Sequence, residues 1–205
     1  MAGYYRKFGR AKFKLIFMKT KTLTDKQGFP PIVADGAKLL ILGSMPGEVS
    51  LQKQQYYGHP KNAFWAIMSV LSNIPDVASY AERKSALMAN GIAVWDVLYY
   101  CRRTGSLDAN IDMDSVSINN FAHFFTAYPT IKMVCFNGGM AEKLYKKHVL
   151  PTVQAYTADI AYVRLPSTSP AYAAMTVAQK TQAWRSGFAR YAKVAQPPLL
   201  SGGFL

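Results

Sequence analysis

Lys38-Leu-Leu-Ile-Leu-Gly-Ser-Met-Pro-Gly47 reads as a buried strand that runs straight into a glycine-bounded turn. A short apolar run ended by glycine is the pattern of a strand covered on both faces. Working outward from it, Asn62 to Leu71 has helical spacing after Pro60, and Ser79 to Asn90 reads as a helix stopped by Gly91. Ile92 to Val97 is a second apolar run, and Ile118 to Tyr128 is expected to be helical. Ile131 to Phe136 is a third strand, with Asn137-Gly138-Gly139 turning into a helix through Lys147. Tyr162 to Leu165 is a fourth, and Thr176 to Ala195 a long final helix. Strands alternating with helices predict an α/β fold of three layers, αβα. At its centre we expect a short, mainly parallel four-stranded sheet flanked by helices. In such folds ligands bind beyond the carboxyl ends of the strands, so the site is to be sought just after Leu42, Phe136 and Leu165.

The 205 residues suit one domain with a full hydrophobic core. No apolar run approaches the eighteen or so residues of a membrane span, and no membrane partner is expected. Cys101 and Cys135 stand far apart with no CxxC, which argues against a disulfide framework and for a reducing compartment. His59, His123 and His148 are scattered without metal-ligand spacing, so no metal is expected. Charge is the strongest bulk signal: 24 Lys and Arg against 11 Asp and Glu give +13. A field of that sign gathers polyanions, nucleic acid first among them.

Three parts are expected: a basic extension over residues 1–29, a domain over 30–196 and a tail over 197–205. The first 21 residues hold seven basic side chains and no acid. Three readings of them stand open: an arm lying on DNA, an organelle-targeting segment, or an over-long start with Met18 as the first residue. Acid poverty fits a transit peptide, but Ser richness and a small-residue cleavage site are missing. Without residues 1–17 the chain still carries +8.

Three segments carry chemistry, the first and third directly at strand ends and the second downstream of the first. Gly43-Ser-Met-Pro-Gly47 lets backbone approach a ligand, yet lacks both the dinucleotide G-x-G-x-x-G and the Gly-Lys-Ser/Thr of a phosphate loop. Gln54-Gln-Tyr-Tyr-Gly-His-Pro-Lys-Asn-Ala-Phe-Trp65 crowds aromatic rings, a His, a Lys and an Asn into one turn. Rings stack on bases, and an Asn amide can both donate to and accept from a base edge; Trp65 itself reads as core. Leu165-Pro-Ser-Thr-Ser-Pro170 is a stiff hydroxyl-rich turn, either a phosphate holder or a solvated loop.

Together and in order, these segments resemble the uracil-DNA glycosylase superfamily. GSMPG is similar to the first motif, GINPG, of its mismatch-specific and thymine branches. YGHPKNAFW, VCFNG and LPSTSPAYA resemble the segments that follow there. GSMPGE, QQYYGHPKNAFW and GIAVWDVLYYCRRTGSLDANI together resemble the hypoxanthine-DNA (deoxyinosine) glycosylase branch more fully. The match runs from about Pro30 to Ala195.

The resemblance implies a repair glycosylase without cofactor, acting as a monomer on double-stranded DNA with a deaminated base, single strands being left open. It implies the cytoplasm of a prokaryote, at the nucleoid, with organelle targeting by the extension as the alternative. Hypoxanthine is the expected base, with uracil as the other. Where the mismatch branches hold a water-positioning Asn, this chain has Met45, and Leu165 stands where the classical uracil branch has a catalytic His. The hypoxanthine branch moves the catalytic Asn onto Asn62. The base would be held by Gly43, Ser44, Met45, Pro46, Tyr57, Phe64 and Asn137, with Phe64 as stacking platform. His59, Lys61, Ser167, Thr168, Ser169 and Pro170 would hold DNA. Two other readings compete with this one: a nucleic-acid-binding domain of the same fold without chemistry, and a uracil/thymine mismatch glycosylase; a zinc deaminase is set aside, because its His-x-Glu and Pro-Cys-x-x-Cys are absent from the sequence.

Overall fold

A computed structural model describes residues 22–75 and 77–194. The expected tail, and residues 1–21 of the expected extension, lie outside them. In chain order the elements are β1 (Thr24–Gln27), β2 (Leu39–Gly43), α1 (Glu48–Lys53), α2 (Phe64–Ser72), α3 (Tyr80–Ala89), β3 (Ile92–Asp96), β4 (Leu98–Arg103), β5 (Ile111–Ile118), α4 (Phe121–Ala127), β6 (Met133–Asn137), α5 (Gly139–Leu144), α6 (Leu150–Val153), β7 (Ala161–Leu165) and α7 (Val177–Val194).

The central sheet has the order β3-β2-β6-β7 with every pair parallel. β2 is buried at all five positions, as its unbroken apolar run requires. Alternation on β7 gives the sheet its two covered faces. Val163 and Leu165 meet Gly187 of α7, where a Cβ would collide with Leu165 Cδ2. Tyr162 instead turns to Tyr145 in the π-helical turn after α5. Trp184 of α7 meets Phe64 of α2 edge-on at 6.0 Å, and Phe121 of α4 meets Tyr145 at 5.5 Å. The three-layer αβα arrangement is therefore as the sequence predicts. α3 begins with a reciprocal cap: Ser79 Oγ accepts from the Glu82 N–H, and the Glu82 carboxylate accepts from the Ser79 N–H.

Three differences bear on the site. A second, antiparallel sheet, β1-β4-β5, follows from β3 after Val97 alone. Its strand β1 pairs residue for residue with β4 from Thr24↔Arg103 to Gln27↔Tyr100. The folded part thus begins before the expected boundary at residue 30, because backbone pairing recruits a polar edge strand that hydropathy does not reveal. Ile118 ends β5 rather than starting a helix; α4 starts at Phe121, with Asn120 Oδ1 accepting from the His123 N–H. The helix expected through Lys147 closes at Leu144 and runs on as the π-helical turn Tyr145–Val149.

Candidate nucleic-acid site at the strand ends

β2 lies between β3, which follows it in sequence, and β6, which comes after both. This change of direction opens a crevice at the carboxyl ends of the strands. It holds a cavity of about 490 Å³ lined by residues 43–47 after β2, Tyr57, His59 and Asn62 before α2, Asp96 of β3, Asn137 of β6 and residues 167–172 after β7. Residues 106–109, between β4 and β5, close the remaining side. All three strand ends singled out in the sequence open onto it.

The turn after β2 is held from outside. The Gly43 and Ser44 carbonyls accept from the Val97 and Leu98 N–H groups at 2.9 and 3.0 Å. Arg103, fully buried, donates through Nη2 to the Pro46 carbonyl and through Nε to Gly105 O at 2.9 Å. Ser44 Oγ donates to Asp108 Oδ1 at 2.7 Å. Burial raises the Asp108 carboxyl above its usual range, while the Ser44 hydroxyl and Arg103 lower it. Met45 is buried in the cavity wall.

Tyr57 adopts φ +54°, a left-handed conformation uncommon without glycine, which presents the ring to the cavity. Behind it Phe64 stacks at 3.8 Å and 19°. Phe64 is wholly buried and does not line the cavity, so the expected stacking platform is corrected. The ring that faces the cavity is Tyr57, with Phe64 backing it. Lys61 is likewise exposed and outside the lining, whereas His59 is within it, its Nδ1 accepting from the Lys61 N–H at 3.1 Å.

Asn62 Oδ1 accepts from the Phe64 N–H at 3.0 Å, satisfying one of the orphan donors at the start of α2. That bond fixes the amide. Its Nδ2 donates no hydrogen bond among the described residues, and the residue lines the cavity.

Asn137 and Thr168 clasp each other. The Asn137 amide donates to Thr168 Oγ1 at 2.9 Å and accepts from the Thr168 N–H at 2.8 Å. The Thr168 carbonyl accepts from the Ala63 N–H at 3.0 Å, so one residue ties β6, the β7 turn and α2 together. Thr168 is 1% exposed, its hydroxyl turned inward to accept from the Asn137 amide, and this burial keeps it from the phosphate contact expected of it. The half-buried Ser167 and Ser169 hydroxyls accept from the Ser169 and Ala171 N–H groups, and their own protons remain free to donate outward. Pro170 lies in the lining beside them. Behind this turn, buried Lys180 of α7 donates to the Tyr172 carbonyl at 2.8 Å and to Ser169 O at 3.4 Å.

Sequence reasoning missed one group. Asp96 closes β3 at the cavity wall, 3% exposed, and its Oδ2 has no hydrogen-bond partner. Burial and the neighbouring Asp108 push its carboxyl up to about 7, against the pull of Arg103. An acid inside the otherwise apolar run Ile92–Val97, at a strand's carboxyl end, was the available signal.

Known proteins are similar to this chain in sequence and fold. The family described as the uracil DNA glycosylase superfamily matches residues 30–193. A protein named hypoxanthine DNA glycosylase from Methanosarcina barkeri is 42% identical over 114 residues, which are 55% of this chain and 71% of that protein. One of the same name from Methanosarcina acetivorans is 37% identical over 137 residues, 62% of this chain and 85% of that one. A solution NMR structure from Methanosarcina acetivorans, described as a candidate uracil DNA glycosylase, superposes with a TM-score of 0.67 at 31% identity. That superposition covers 82% of this chain and 99% of the other. Among the described residues no helix is long and apolar enough to cross a membrane.

Proposed function

The chain belongs to the uracil-DNA glycosylase superfamily and is a DNA repair glycosylase for deaminated bases; on that premise we propose that it removes hypoxanthine from double-stranded DNA in preference to uracil. The observation that carries this reading is the pairing in one cavity of an Asn62 amide donor with a buried Met45, where other branches of the superfamily order their water.

The target nucleotide must first leave the stack, at a cost of a few kcal/mol that is smallest for a mismatched base. Ser167 and Ser169 donate hydroxyl protons to the phosphates beside it, and Tyr57 stacks on the flipped ring. As the C1′–N9 bond breaks, its electron pair moves onto the purine and the sugar becomes cationic. Water adds to C1′ and loses a proton, and the purine leaves protonated. Asn62 serves the leaving base: its Oδ1 is occupied by the Phe64 N–H, so the group it offers is the Nδ2 donor, which suits a purine gaining negative charge. We further propose that the protein works as a monomer on nucleoid DNA in the cytoplasm.

A binding domain without chemistry is the second reading, favoured by the buried, apolar Met45 and Leu165. Oligonucleotide duplexes carrying hypoxanthine, uracil or no lesion, scored for abasic sites after alkali, separate the two. Strand breaks at hypoxanthine support the proposal, and breaks at neither base support the second reading.

A further inference from the structure

We propose that Arg103 is a positioning residue for base release: its guanidinium fastens the turn after β2 to the loop over residues 104–110, and the rate depends on that grip although Arg103 lies outside the cavity lining. This inference rests on the glycosylase reading above.

Alternation at the end of β4 turns Arg102 outward, where it meets Asp112 at 2.7 Å, and Arg103 inward, where it is fully buried. β4 is the middle strand of its sheet, and Arg103 pairs with Thr24 on one side and Ile111 on the other. Its main chain is therefore a fixed base for the side chain. Burying a guanidinium is costly unless it is paired and hydrogen-bonded. Arg103 meets that cost with two carbonyls, Nε donating to Gly105 O at 2.9 Å and Nη2 to Pro46 O. Gly105 takes a left-handed φ of +65°, which brings a glycine to this point of the loop. The planar fork of arginine fixes both bonds at once, which an ammonium group cannot do.

Two further bonds join the same partners. The Glu48 N–H donates to Ser106 Oγ at 2.9 Å, and Ser44 Oγ donates to Asp108 Oδ1 at 2.7 Å. The first of these is exposed and the second part-buried, whereas the bond from Arg103 to Pro46 O is buried. Away from water that bond is the strongest of the three fastenings.

What the grip holds is a pair of open donors. The ladders of β2 end at Gly43, and the N–H groups of Ser44 and Met45 meet no acceptor among the described residues. Both residues line the cavity. Donors at a cavity wall act on a ligand only while they keep their direction, and that direction is set by the backbone angles of the turn. The Pro46 carbonyl follows directly, so holding it fixes the turn from outside the cavity. Charge is the other thing Arg103 supplies. It pulls down the carboxyls of Asp96 and Asp108, which burial raises. Arg103→Lys keeps a cation and loses the fork, so it separates grip from charge. Arg103→Met fills the space and removes both, and the two carboxyls then take up protons rather than remain as unpaired buried charges.

The test is single-turnover release of hypoxanthine at saturating enzyme for wild type, Arg103→Lys and Arg103→Met. Amide hydrogen exchange over residues 43–47 is measured on the same proteins. Arg103→Lys should slow release by about tenfold and Arg103→Met by about a hundredfold. In both, the amides of residues 43–47 should exchange about tenfold faster, while those of α7 keep their wild-type rates. Affinity for undamaged duplex should stay within about twofold of wild type, because it rests on phosphate contacts. The melting temperature should fall by only a few degrees. Wild-type release by Arg103→Lys would assign the part of Arg103 to its charge and overturn the inference. So would slowed release with unchanged exchange over residues 43–47, or faster exchange there with unchanged release. Should Arg103→Met fail to fold, Arg103→Lys carries the same decision. If wild type releases no hypoxanthine, the glycosylase reading falls and takes this one with it; variants that keep pace with an active wild type overturn this one alone.

Discussion

On the proposed reading, Asn62 combines two roles, an acceptor at the start of α2 and a donor to the leaving base. Its Oδ1 closes the first turn of α2 on the Phe64 N–H, while Nδ2 is left for the cavity. Asn62→Asp keeps the acceptor and discards the donor, so the two roles separate. Asp is an equally good cap and should leave the melting temperature nearly unchanged, whereas Asn62→Ala should cost about 1 kcal/mol of stability. Both should lose roughly a hundredfold or more in single-turnover release, because a donor that stabilises developing charge has gone. Near wild-type rates in both would remove Asn62 from the chemistry. At this scale the sequence pointed to Asn62, Tyr57 and His59 by residue type, and all three line the cavity. It misled where position overrides type. Phe64 reads as a base platform but is needed as backing for Tyr57, and Thr168 reads as a phosphate ligand but is spent on Asn137. Asp96 was hidden because the apolar residues around it made its run look like plain core.

At the scale of elements, the parallel sheet was legible because strands covered on both faces must be apolar throughout, and Leu39–Gly43 and Met133–Phe136 are. The antiparallel sheet was not. β1 is Thr-Asp-Lys-Gln, and β5 carries Asp112 and Asp114, with register shifts against β4 that break alternation. Arg103 of β4 carries a charge yet is fully buried, and it holds the turn after β2 by Pro46 O. The turn after β7 has a comparable support in α7, where Lys180 holds the Tyr172 and Ser169 carbonyls and lies 5.2 Å from the Tyr172 ring. Lys180→Met keeps the length and apolar stem but frees that turn. Because small misplacements of positioning groups cost up to about a hundredfold in rate, release from duplex DNA should fall about tenfold or more. The melting temperature should move by only a few degrees. An unchanged rate would show that the turn is held without Lys180.

For the whole molecule, charge sets how DNA is met. A chain of +13 is drawn to phosphate, and Arg6, Lys7, Arg10, Lys12 and Lys14 supply five of those charges ahead of Met18. A protein that starts at Met18 keeps β1 and every cavity residue. It should hold its single-turnover rate at saturating enzyme while its affinity depends less steeply on salt, by about 0.9 in log–log slope for each phosphate that the arm no longer neutralises. A collapse of the saturated rate would place the arm in the site. Chemistry is the central claim, and identifying the released base tests it most directly. Enzyme in excess is mixed with duplexes carrying one deoxyinosine or one deoxyuridine, and the free base is resolved by chromatography against abasic sites in the same sample. The account predicts free hypoxanthine in equal amount to the abasic sites, formed faster than uracil. Uracil released as fast or faster, or abasic-site yields equal to those of an undamaged duplex, would contradict it.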